Sequence, residues 1–144
     1  RWGDRRAVII DYQLQSNSGN DQVVFESGEK LDLMVHVRFF EELTDLIYGC
    51  TVKTVDGQTV YGTNTRQRAL DVSHGESGAT VVIRFQFDLN VVPGEYFISL
   101  GVALDDPEHD NIAIDRRYDL IHLTVRGDYG GFGLAQMNMS ITEV

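Results

Sequence analysis

Cysteine is almost missing: Cys50 is the single thiol in 144 residues. One thiol excludes an internal disulfide framework and fits a reducing compartment. With apolar Tyr48 and Val52 at alternate positions beside it, Cys50 reads as a small residue on a buried strand face. Lysine and arginine are also short, 12 against 22 aspartates and glutamates, for a formal net charge of −10. So acidic a surface repels nucleic acid and anionic headgroups, and we expect no nucleic-acid partner. No apolar run approaches the ~18 residues that span a bilayer, and we expect no signal peptide. The sequence opens at Arg1 rather than methionine, so we expect a piece of a longer protein whose other part carries further chemistry.

The motifs of catalysis and metal binding are missing too. None of His36, His74, His109 and His122 has a second histidine or a cysteine at ligand spacing, and neither HExxH nor CxxC occurs. The stretch DDPEHD (105–110) bunches oxygens that calcium accepts, but it lacks EF-hand spacing and reads as a solvated acidic loop. There is no GxSxG elbow, and most carboxylates sit in turns rather than as a facing pair. No Gly-rich turn resembles a Walker loop or a dinucleotide fingerprint. We therefore expect no catalytic residue, no metal site and no cofactor.

What the sequence has in abundance is alternation. In FESGEKLDLMVHVRF (25–39), Leu31, Leu33, Val35, Val37 and Phe39 fall on one side, and Asp32, Met34, His36 and Arg38 on the other. A period of two over nine residues is a strand with one buried and one mostly polar face. Similar segments occur at 7–15, 47–55, 58–64, 80–89, 95–104 and 112–126, the last expected to bend or bulge at Arg116-Arg117. Turn formers separate them: 16–20 (SNSGN), Asp56-Gly57 in a hairpin, and Pro93-Gly94. Residues 41–46 read as a connector or a single helical turn. No segment of ten residues holds a 3.6 period. The pattern predicts an all-β fold, an immunoglobulin-like antiparallel β-sandwich of about eight strands, as one domain over 1–144 and without the Cys–Trp–Cys signature.

Strand parity then gives candidate surfaces. With Tyr96, Ile98, Leu100, Val102 and Leu104 inward, Phe97, Ser99, Gly101 and Ala103 face out. The segment at 48–54 exposes Gly49, Thr51 and Lys53, and that at 112–126 adds Tyr118, His122 and Thr124. Small residues beside an aromatic make a shallow floor with a stacking platform. Such a surface suits a sugar ring, whose C–H face packs on the aromatic while side chains bond its hydroxyls. The candidate glycan-binding residues are Phe97, Ser99, Gly101, Thr51, Lys53, Tyr118 and His122. The same small residues also suit close approach of another strand, loop or subunit. The opposite sheet, with His36, Arg38, Arg84 and Gln86 outward, is a rival face whose bases suit an acidic ligand.

Four stretches in order, RWGDRRAVIIDYQL, FESGEKLDLMVHV, GCTVKTVDGQTVYGTNT and FDLNVVPGEYFISLGVAL, carry a further signal. An Arg-x-Gly opening, a Ser-Gly-Glu turn, an Asp-Gly hairpin running into Val-x-Gly-x-Asn-Thr, and a Pro-Gly-x-Tyr turn cover about residues 1–125. This order resembles the C-terminal domain of Wzt, the nucleotide-binding component of ABC transporters that export bacterial O-antigen polysaccharide. The resemblance implies a non-catalytic sandwich that recognises the capped, non-reducing end of the O-antigen polysaccharide and couples it to export. It also implies a cytoplasmic location at the inner membrane, an ATPase domain in the remainder of the chain, a membrane transporter subunit as partner, and a homodimer formed by exchange of the last strand (134–144). Independently of the resemblance, AQMNMSITEV places Met137, Met139 and Ile141 on one face, and YGGFG (129–133) before it is a hinge. That segment either crosses to a neighbour or folds back on its own chain as an edge strand. Two other readings stay open: a structural dimerisation domain without glycan binding, and a glycoside-hydrolase accessory or catalytic sandwich.

Overall fold

The computed structural model describes residues 1–16, 19–20 (as backbone), 23–108, 110–127 and 130–144. Asn17, Ser18, His109 and Tyr129, which figure in the predicted turns, histidines and hinge, lie outside the described residues. The strands are β1 (Ala7–Ser16), β2 (Gly19–Asn20), β3 (Val24–Glu26), β4 (Lys30–Phe39), β5 (Leu46–Thr54), β6 (Thr59–Asn64), β7 (Thr80–Asp88), β8 (Gly94–Leu104) and β9 (Ile112–Arg126). They form two sheets, ordered β2-β1-β4-β7 and β3-β9-β8-β5-β6. This is the expected all-β sandwich, with the short β2 and β3 raising the strand count to nine among the described residues.

The period-two pattern decides which side of each strand is covered. In β4, Leu31, Leu33, Val35, Val37 and Phe39 are all buried. Opposite them, Tyr96, Ile98, Leu100 and Val102 of β8 and Ile121, Leu123 and Val125 of β9 close the core. Each such side chain contributes about 1.5–3 kcal/mol on leaving water. Strand β7 keeps the same parity, but Val81, Ile83, Phe85 and Phe87 are only half-buried because β7 is the edge of its sheet.

The recurring motifs turn out to be fastenings. Arg1 grips the buried carboxylate of Asp115 with both forks, Nε to Oδ1 at 3.0 Å and Nη2 to Oδ2 at 2.8 Å. The Ile9 N–H of β1 donates to the same Oδ2, so Asp115 ties the two sheets together. Gly3, at φ +129°, is required there: a Cβ would lie 2.2 Å from the Ile114 carbonyl oxygen. In the Pro-Gly-x-Tyr turn, the buried Tyr96 hydroxyl donates to the Val92 carbonyl at 2.6 Å. Asn64 Oδ1 accepts from the Gln67 N–H and Thr65 Oγ1 from the Tyr48 N–H, so that pair shapes a turn, as its sequence suggests.

Two expectations need correction. Strand β3 pairs with β9 in parallel, so the second sheet is mixed rather than wholly antiparallel. The irregularities of β9 flank Arg116-Arg117 instead of falling on them: Ile114 is extra opposite Val102/Ala103, and Tyr118, Asp119 and Leu120 together oppose Ser99. Residues 41–46 form no helical turn; Leu43 makes an isolated bridge to Gly75, which packs against the Phe39 ring. The last segment pairs back on its own chain only at its start, through the antiparallel Val91–Ala135 bridge, the Val92 N–H to Leu134 O bond and the Gln136 N–H to Asn90 O bond. Beyond that point Met137, Met139 and Ile141 stand exposed.

Candidate functional site

The outer face of the five-stranded sheet gathers the candidate residues into cross-strand rows. Lys53, Phe97 and His122 share one row, because Lys53 pairs with Phe97 and Phe97 with His122. Thr51 and Ser99 form the next, and Gly49, Gly101 and Arg116 the one after. Directly opposed residues in an antiparallel pair share a face, so each row is a line of neighbouring side chains.

The first row is a stacked cluster. The Phe97 ring lies 5.1 Å from the His122 ring at a 36° tilt. Nε2–H of His122 donates to Glu95 Oε2 at 2.7 Å, and the Thr124 hydroxyl donates to the same carboxylate at 2.9 Å. Glu95 therefore fixes the imidazole that backs the Phe97 ring.

The second row explains the bulge. Asp119 adopts φ +51°, and its N–H donates to Ser99 Oγ at 2.9 Å. Two extra residues on β9 make this bulge, and the Tyr118 side chain stands on its outer side. It is 54% exposed, with the Lys53 ammonium 5.3 Å from the centre of its ring. Ser99 thus departs from the expected open floor: it is 8% exposed and its oxygen is an anchor for the bulge.

The third row is the low part of the face. Gly49 and Gly101 oppose each other and offer no side chain. Arg116 bounds them on one side, its Cγ 3.8 Å from where a Gly101 Cβ would stand. Beyond Arg116 comes Trp2, bridged to it by a pair of backbone bonds, Trp2 N–H to Arg116 O at 2.9 Å and the reverse at 2.6 Å. The shared face puts this indole, 64% exposed, on the same surface.

All seven sequence candidates therefore lie on one side of β5, β8 and β9. Reading by parity missed Glu95, Arg116 and Trp2. Glu95 was legible, since it is two residues before Phe97 on the same strand. Trp2 was not, because it belongs to no alternating run and reaches the sheet only through an isolated bridge. On the same sheet, Cys50 faces inward, and burial pushes its thiol up to about 12, which leaves no thiolate for nucleophilic work near neutral pH. Among the described residues no group of three metal-ligating side chains occurs, and no helix is long and apolar enough to cross a membrane.

The comparisons agree with this architecture. A crystal structure of the C-terminal domain of Wzt superposes with a TM-score of 0.91 at 28% sequence identity, over 99% of this chain and 87% of that one. A comparison with curated proteins found no match. The family model of the Wzt C-terminal domain matches residues 1–137. The chain belongs to the Wzt C-terminal domain family.

Proposed function

We propose that residues 1–144 act as one carbohydrate-binding domain that holds the capped, non-reducing end of an O-antigen polysaccharide against the outer face of β5, β8 and β9. Family membership supports a role in O-antigen ABC transport, and a non-catalytic one. The observation that carries the glycan reading is the glycine row: Gly49 and Gly101 lie low between Tyr118 and Phe97 on one flank and Trp2 on the other. A saccharide tip fits between such walls by stacking its C–H face on a ring, while Arg116, Lys53 and Thr51 bond its hydroxyls. Ser99 contributes by fixing the bulge that presents Tyr118, and His122 by backing Phe97. In this reading binding delivers finished chains to a membrane transporter subunit at the cytoplasmic side of the inner membrane, with the ATPase in the remainder of the protein.

Trp2 is the single tryptophan, so its fluorescence reports on this face. Titration with capped glycan should change that emission saturably, and the same chain without its cap should bind at least about ten-fold more weakly. Equal binding of the two, or none, removes the end-recognition reading.

A second observation favours a homodimer. The free edges β6 and β7 leave a cleft of about 580 Å³ between the sheets, lined by Val52, Val60, Ile83, Phe85 and Phe87 and reached by Ala135 and Gln136. The exposed Met137, Met139 and Ile141 leave the body at this cleft. Exchange of residues 134–144 would pair two open edges and cover both apolar segments. Removing 137–144 should convert a dimer to a monomer in light scattering; an unchanged mass rejects the exchange. A dimer that binds no glycan would instead favour the purely structural reading.

A further inference from the structure

The opposite sheet carries a second polar cleft, of about 570 Å³, on the outer side of β1, β4 and β7. That volume lies within the range of small-molecule sites, roughly 300–1,000 Å³. Its centre is one cross-strand row, Gln15, Asp32 and Gln86, with Lys30 and Asp88 paired beside it. Lys30 Nζ stands 3.5 Å from Asp88 Oδ1. Arg84 Nε stands 3.1 Å from Asp32 Oδ1 and covers that oxygen. The groups of the row left to meet a ligand are the side-chain amides of Gln15 and Gln86.

The charges decide which ligand. Both carboxylates of the cleft already face a cation, so a cationic ligand gains little, and the two acids together with the net charge of −10 oppose an anion. Gln15 and Gln86 each present two donors and an acceptor, which suits a ligand carrying hydroxyls that do both. We infer that this cleft is a second, separate binding site for a neutral sugar ring, with Gln15 and Gln86 bonding its hydroxyls. It stands apart from the Phe97 face and does not need that face to bind.

The test is a ¹⁵N–¹H titration of the chain with a panel of neutral methyl glycosides (gluco, galacto, manno, rhamno and N-acetylglucosamine). At least one should shift the amides of Gln15, Asp32 and Gln86 saturably, with a millimolar Kd. Gln86→Ala and Gln15→Ala should each weaken that binding about ten-fold, the scale of a lost hydrogen-bonding side chain. Phe97→Ala should leave it unchanged, which separates this site from the one on the other sheet. The spectrum of each variant shows whether it is folded, and two independent variants guard against the loss of one. Absence of saturable shifts in this cleft with every glycoside, or shifts that persist in both glutamine variants, overturns the inference.

Discussion

The Phe97 ring rests 5.1 Å from His122, and Nε2 of that histidine lies 2.7 Å from Glu95 Oε2. Three residues from two strands thus form a chain in which a carboxylate orients an imidazole and the imidazole backs a ring. If the ring stacks on a sugar, Phe97→Ala should weaken glycan binding by about 1–3 kcal/mol, the scale of a good aromatic anchor. Glu95→Gln keeps a partner for His122 and should cost less than Glu95→Ala. Calorimetric titration checks both, and an unchanged affinity of the Phe97 variant moves the glycan off this face.

Ser99 anchors the bulge of β9. Ser99→Ala removes the acceptor of the Asp119 N–H, and that residue sits at φ +51°. The expected loss in folding stability is about 1 kcal/mol, the net worth of one hydrogen bond. The Asp119 amide should exchange faster with solvent in the variant. Unaltered exchange at Asp119 would show that the bulge holds without its anchor.

The alternation in β4 and β8 made their buried and open sides legible from the sequence, because a half-buried strand writes its orientation into every second residue. That is how Phe97, Gly101, Thr51 and Lys53 came to be grouped. Two kinds of feature left no such trace. The bulge at 118–120 depends on a serine of another strand and on a left-handed aspartate, and neither breaks the apolar pattern around Ile121 and Leu123. The three-residue parallel pairing of β3 with β9 is too short to impose a period. Beyond Gln136 the tail has a strand's alternation, but Met137, Met139 and Ile141 stand exposed in the single chain, so the pattern there has no surface to match.

Asp115 is wholly buried and its cation, Arg1, has a side chain only 30% exposed. Breaking a buried pair costs about 3–5 kcal/mol. Partial exposure of Arg1 reduces this, and Arg1→Ala should lower stability by about 2–3 kcal/mol. Because Asp115 also accepts from Ile9, Asp115→Ala should be at least as severe. Urea unfolding measures both, and a loss below about 0.5 kcal/mol for Arg1→Ala would reduce the clamp to an ordinary surface pair.

Burial pushes Cys50 and Tyr48 up to about 12, from ordinary values of 9.0 and 10.0. Above pH 9 the unfolded chain releases the Cys50 proton while the folded chain keeps it. Stability contributed by the neutral thiol is therefore complete below pH 9 and falls as pH rises toward 12, by about 1.4 kcal/mol per pH unit. Urea midpoints should fall less steeply over this window in Cys50→Ala than in the parent chain. Native protein should also resist thiol reagents at pH 8; rapid labelling there would place the sulfur outside the core.

Gly49 and Gly101 hold ordinary backbone angles, and a methyl at either would meet its nearest atoms at 3.5 and 3.8 Å, a comfortable distance. Neither glycine is demanded by the chain path, unlike Gly3. The contour of this surface can consequently be rewritten, residue by residue, while the layer beneath stays as it is. If this face holds a glycan, a lineage meeting a new polymer could adopt it by altering a few outward positions, with the foundation of the molecule inherited intact.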